Sequence, residues 1–344
     1  MDYDIVLATR NRYSVLQLSI PLMLCQSLPP KNLIVVDSSD DHNKVLDIIR
    51  KIINSTNRNI KYKIIYSDPG LTLQRNIGLK HVTSEIIMFP DDDSLWFPKM
   101  ASSVMEIYEK DQNQVIGAVA ASELFFPPNK VIKEKEKACY KMSIKDRLQF
   151  LRLSPTLTSL EDKLFPNPFM IEGQYKQKDK QLPANLKNIA KLFPTLLGFR
   201  MSFRRKVIQN FQFDEILGRY ALYEDRDAAL YVLNSFLIAE SLKAKVFHYR
   251  SPEQRTSGKK WGIMSILNMA YIICKHTSSS SSRRLVKHYC RYITIRYLMQ
   301  TYTKYGRERA IGALKAYLRL SEILNSSKTE LSHTYKRIFN KCLG

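Results

Sequence analysis

Phe89-Pro90-Asp91-Asp92-Asp93-Ser94-Leu95-Trp96 sets three consecutive carboxylates directly behind an apolar run, Ile86-Ile87-Met88-Phe89. The run is too short for an ordinary helix and is stopped by Pro90, so it reads as a buried strand. Three adjacent like charges repel unless a cation neutralises them. Hard divalent ions such as Mg²⁺ and Mn²⁺ take oxygen ligands of this kind and share them with phosphates. The alternative for such a triplet is a solvated acidic turn.

Outward from that strand, the first ninety residues alternate. Asp4 to Thr9 reads as a strand, Thr9-Arg10-Asn11-Arg12 as a polar turn, and Tyr13 to Leu28 as a helix stopped by Pro29-Pro30. Asn11 is a candidate cap for that helix. Asn32 to Asp37 and Tyr62 to Tyr66 are two more strands; Asn43 to Ile53 and Leu71 to His81 are helices. Alternating strands and helices predict right-handed crossovers and a mostly parallel sheet. Ligands of such sheets lie beyond the carboxyl ends of the strands. There the sequence sets Thr9-Arg10-Asn11, Asp37, Asp68 and Asp91-Asp92-Asp93.

Residues 128–190 are rich in Lys, Pro and Gln and read as loops and short helices. Leu196 to Arg204 is apolar again, with Gly198 inside it. Glu224 and Asp225 fall in the first turn of a predicted helix, where negative charge suits the dipole. Lys245 to Arg250 reads as a short strand bearing His248. Beyond Trp261 helical patterning dominates, and Ser278 to Ser282 reads as a flexible linker.

The net charge of +22 is uneven: residues 241–344 hold 21 Lys and Arg against four Asp and Glu, whereas residues 1–127 hold 13 against 15. A basic last third points to a polyanion or an anionic membrane surface. Five cysteines show neither zinc nor redox spacing and read as reduced, buried thiols of a cytosolic protein. The N-terminus lacks a signal-peptide pattern, and no window of eighteen apolar residues suggests a spanning helix.

Taken in order, these motifs resemble a family 2 glycosyltransferase of the GT-A fold over about residues 3–255. Ala8 to Arg12 resembles the family's opening turn, and Val35 to Ser39 its second-strand carboxylate. Gly70-Leu71-Thr72-Leu73-Gln74-Arg75-Asn76-Ile77-Gly78 is similar to its Gly-x-x-x-x-Arg-Asn-x-Gly helix. Asp91-Asp92-Asp93 resembles its Asp-x-Asp motif, Glu224-Asp225 its acidic pair and His248 its metal-binding histidine. The resemblance implies an α/β Rossmann-like mixed sheet flanked by helices, with a basic helical extension. It implies a catalytic domain over 1–258, divided into a nucleotide-binding part (1–127) and an acceptor and catalytic part (128–258), and an extension over 259–344.

The same resemblance assigns roles. Asp93, Asp91 and His248 hold Mn²⁺ or Mg²⁺. Thr9, Arg10, Asn11, Asp37, Asp68, Gly70, Arg75, Asp91, Asp92, Gly198, Arg250 and Arg255 bind the donor, expected to be a UDP-sugar, with Asp37 on the base or ribose and Arg75 on the base or a phosphate. Asp225 is the base, and Glu224 positions it or the acceptor. Trp96 and Met201 face the acceptor, although Trp96 equally suits the core. Processive members carry Gln-x-x-Arg-Trp after the acidic pair, and Gln254-Arg255 with Lys260-Trp261 does not reproduce it. The expectation is an inverting, non-processive enzyme of capsule, O-antigen or exopolysaccharide assembly. It would be cytoplasmic, peripheral on the inner face of the cell membrane, and act on a glycan or lipid-linked acceptor with no nucleic acid. A sugar-nucleotide pyrophosphorylase, a polyanion-binding protein and a non-catalytic glycan-binding relative are the rival readings.

Overall fold

In the computed structural model the described residues are 1–56, 58–128, 161–253 and 255–344. The strands are β1 (Tyr3–Thr9), β2 (Asn32–Asp37), β3 (Lys61–Tyr66), β4 (Ile86–Phe89), β5 (Ser94–Trp96), β6 (Ile116–Leu124), β7 (Ala190–Leu192), β8 (Met201–Arg204) and β9 (Leu237–His248). The helices are α1 (Tyr13–Leu24), α2 (His42–Ser55), α3 (Leu71–Leu79), α4 (Met100–Lys110), α5 (Pro168–Gln177), α6 (Arg205–Ile208), α7 (Glu224–Val232), α8 (Gly258–His276), α9 (Ser280–Leu298), α10 (Lys304–Tyr317), α11 (Leu320–Leu324) and α12 (Leu331–Leu343).

All described strands join one mixed sheet in the order β3-β2-β1-β4-β8-β6-β9-β5, with β7 on β9. The first four are parallel, whereas β8 runs antiparallel to β4 and β6, and β5 antiparallel to β9. The β1, β2 and β4 strands are buried on both faces, which explains their unbroken apolar runs. Ile5, Leu7, Leu33, Val35, Ile86 and Met88 pack into one core layer. The alternate residues Val6, Ile34, Val36, Ile87 and Phe89 pack into the other.

The chain divides into two compact units, residues 1–128 with 173–256, and residues 129–172 with 257–344. The sheet lies in the first. In the second, α8 is buried along most of its length. Its partner α10 approaches closely: a Cβ on Gly262 would lie 2.1 Å from the Arg309 carbonyl oxygen, and one on Gly312 2.1 Å from that of Lys259.

Four expectations need correction. Helix α1 ends at Leu24 rather than Leu28: Gln26 folds back, donating to the Leu22 carbonyl and accepting from Ala101 N–H. Its N-cap is Arg12, without a side-chain cap bond, and Asn11 instead exchanges bonds with Asp40. The serine run is no linker, because Ser279 caps α9 by accepting from Ser282 N–H. Cys25 is exposed, while Cys274, Cys290 and Cys342 are buried free thiols. Cys139 and most of the loop region read after residue 128 lie outside the described residues. Among the described residues no helix is long and apolar enough to cross a membrane.

Candidate active site

The carboxyl ends of the strands meet as the parallel order requires. Asp91 follows β4 and bridges to Ala8 of β1. Asp93 abuts β5, whose Ser94 pairs with His248 at the end of β9. The His248 Nε2 lies 3.2 Å from Asp93 Oδ1. The Phe199 ring stacks on the imidazole, with centroids 4.4 Å apart. Asp91, Asp93 and His248 each offer one ligand atom, all within 4.8 Å of one another. Two cis ligands at about 2.1 Å from an octahedral cation lie about 3.0 Å apart, so the Asp93–His248 separation fits a shared divalent ion.

Two arginines knit the acidic cluster. Arg12 Nη1 reaches Asp92 Oδ1 at 2.7 Å and Asp93 Oδ2 at 3.1 Å, while Nη2 donates to the Glu253 carbonyl at 3.2 Å. Arg75, almost wholly buried, pairs with Glu224 and with Asp91 Oδ1 at 3.0 Å. Burial favours the neutral form of Asp92 and pushes it up to about 7 against the pull of Arg12. Asp93 is driven the other way, to about 2: burial is outweighed by the His248 hydrogen bond and charge, by Arg12, and by the Ser251 N–H. Burial also pushes Glu224 upward; Arg75 opposes the shift and the neighbouring Asp225 and Asp91 carboxylates add to it.

Asp225, in the first turn of α7, is held by backbone: Oδ2 accepts from Gly198 N–H at 2.8 Å and Oδ1 from Arg226 N–H at 2.8 Å. Tyr223, just before α7, adopts the left-handed region at φ 76°. Gly198 lies close against three of these side chains. A Cβ there would lie 3.2 Å from Glu224 Oε1, 3.3 Å from Arg75 Nη2 and 3.6 Å from Asp91 Oδ1. It therefore sits where Asp91 and the Glu224-Asp225 pair converge.

Several sequence assignments change on the structure. Trp96 is 1 % exposed and Met201 2 %, both inside the core, so neither offers a face to an acceptor. Arg75, expected on the base or a phosphate, is buried and gives its guanidinium to the Glu224 and Asp91 carboxylates. Asp37 is fully buried, with one oxygen on Ser39 N–H and Oγ and the other on His42 Nδ1, so it shapes the loop after β2 instead of meeting a base directly. Thr9 gives its hydroxyl to the buried Asp92, and neither is presented to a ligand. Arg10 lies 3.6 Å from the Asp40 carboxylate. Asp68 is exposed after β3. Gly70 caps α3, and a Cβ there would meet only Leu73 Cβ at 3.4 Å. Arg250 turns to Glu123 at 3.0 Å, and Arg255 donates to the Ser251 carbonyl at 2.7 Å.

Other residues of the site were not singled out by sequence. Gln74 donates to the carbonyls of Thr9 and Val36, locking the ends of β1 and β2 together. The exposed Tyr66 ring stands edge-on to His42 at 5.1 Å. A polar residue on the inner face of α3 was the available signal for Gln74; nothing in the sequence marked Tyr66.

The central mixed sheet flanked by helices matches the GT-A glycosyltransferase fold. The family described as glycosyl transferase family 2 matches residues 4–160. That span reads as a family 2 glycosyltransferase domain. No curated protein matches it. Among solved structures, residues 1–349 of Staphylococcus aureus TarS share 13 % identity at a TM-score of 0.54, covering 99 % of this chain and 91 % of that one. That protein has also been solved with UDP-GlcNAc, at 12 % identity, TM-score 0.54 and the same coverage. The Pyrobaculum calidifontis mannosyltransferase PcManGT, solved with GDP-Man and Mn²⁺, matches at 14 % identity and a TM-score of 0.51, covering 99 % and 86 %.

Proposed function

We propose that the protein transfers a sugar from a nucleotide-diphosphate donor, a UDP-sugar by preference, to a hydroxyl of a glycan or lipid-linked glycan, with inversion. The observation that carries this is the convergence on Gly198 of Asp91 from the metal-facing trio and the Glu224-Asp225 pair. UDP-GlcNAc and GDP-Man in the similar structures support a nucleotide-sugar donor, and Mn²⁺ in one supports a divalent ion.

Asp93, His248 and Asp91 would hold Mn²⁺ or Mg²⁺, which supplies charge neutralisation to the leaving diphosphate. The remaining steps belong to side chains. Tyr66 and His42 offer an aromatic edge to the nucleotide base. Gly198 leaves room for the donor sugar beside Asp225. The Asp225 carboxylate takes the acceptor hydroxyl's proton as that oxygen bonds to the anomeric carbon and the diphosphate leaves from the opposite face. Arg75 fixes Glu224 and Asp91 on either side of the reaction path. One base without a nucleophile motif supports a single displacement. The basic last third supports an acceptor carried at an anionic membrane, as in surface-polysaccharide assembly on the cytoplasmic side.

Incubation with UDP-sugars, an acceptor glycan and Mn²⁺ tests the reading. UDP release with a product of inverted anomeric configuration by proton NMR is expected; retained configuration contradicts single displacement.

A further inference from the structure

The second unit carries an exposed stripe along α9. Along α9, Arg284, Lys287, Arg291, Ile295 and Leu298 are spaced by three or four residues and all are exposed. They form one solvent-facing stripe, basic at its start and apolar at its end. The apolar end continues into the turn before α10, where Met299 and Tyr302 protrude. Ile295, Leu298, Met299 and Tyr302 range from 45 % to 79 % exposed. Lys304 and Arg307 follow on the next helix, also exposed. Across residues 283–307 the chain has seven Lys and Arg and no Asp or Glu.

We propose that this helix tip docks onto an anionic lipid surface, with Leu298, Met299 and Tyr302 entering the headgroup and acyl boundary and Arg284, Lys287 and Arg291 meeting lipid phosphates. The proposal deepens the membrane-side acceptor reading above and rests on it for its ligand. Both halves of the stripe are needed for the choice of occupant. A nucleic acid would satisfy the arginines and leave four large apolar side chains in water. A second copy meeting it tip to tip would cover the apolar end but bring the flanking Lys and Arg of both copies together, with no Asp or Glu across residues 283–307 to offset them. An anionic bilayer offers phosphates and hydrocarbon at adjacent depths, matching a basic stripe that ends in an apolar tip.

The test is flotation of the full chain with phosphatidylglycerol–phosphatidylcholine vesicles and with phosphatidylcholine vesicles. Wild type is expected to float only with the anionic vesicles. The triple variant Leu298→Ser, Met299→Ser, Tyr302→Ser alters only exposed side chains, and it is expected to bind about tenfold more weakly or worse with its melting temperature kept. Wild-type affinity in that variant overturns the tip proposal while leaving the broader membrane reading standing. Failure of wild type to float with either vesicle overturns both. A dimer, seen by light scattering without vesicles and dispersed by the triple variant, reassigns the tip to contact between copies and also overturns the proposal.

Discussion

The acidic triplet separates into three environments. Asp93 is buried against His248 and Arg12 and held well below the ordinary range, Asp92 is buried on Thr9 and Arg12, and Asp91 pairs with Arg75 and belongs to the candidate ligand trio. Asp225→Asn keeps the side-chain size but removes the base, and its one amide oxygen can accept only one of the two backbone N–H bonds. Turnover should fall at least about 10²-fold with donor affinity held, measured by single-turnover kinetics beside calorimetry; a KM effect alone would remove Asp225 from that role. Arg75→Met leaves Glu224 and Asp91 without their cation, and urea melts should show a loss of about 3–5 kcal/mol. Asp92 binds its proton more tightly folded than unfolded, with the native value near 7 against 3.8. Its contribution is therefore full below about pH 4 and lost as pH rises toward 7. Urea melts of wild type and Asp92→Asn should show the wild type losing ground to the variant across that window; parallel curves would contradict the assignment. The carboxylates themselves were legible in the sequence because each ends or follows a patterned element. Their sorting was not, because it depends on Arg12 and Arg75, which arrive from other elements.

At the scale of elements, the period-two and period-3.6 patterns located β1 to β4 and α2 and α3 within a few residues, since strands buried on both faces carry continuous apolar runs. The length of β9 was hidden. Its twelve residues from Leu237 to His248 include a register break against β6 between Glu240 and Lys245, and only its last turn-proximal piece resembles an isolated strand. The serine run misled because serine serves equally in linkers and at N-caps. Ser279→Ala should cost about 1 kcal/mol, visible as a lower urea midpoint. Gly262→Ala sets a Cβ against the Arg309 carbonyl and must part α8 from α10. A loss of about 1–3 kcal/mol is expected in the same assay.

At the scale of the molecule, the parallel β3-β2-β1-β4 half brings polar strand ends to one edge, and β9 returns His248 to that edge. The sequence order of motifs conveyed the class of fold. It could not convey that Trp96 and Met201 belong to the core, since burial follows from the packing of strands distant in sequence. The central claim is that Asp91, Asp93 and His248 join a divalent ion to a nucleotide diphosphate. Thermal shift with UDP, GDP and CDP, each with and without Mn²⁺, tests it most directly in wild type and His248→Ala. The account predicts stabilisation of wild type by UDP that requires Mn²⁺ and largely disappears in the variant. Equal stabilisation with and without Mn²⁺, or an undiminished Mn²⁺ effect in His248→Ala, would contradict it.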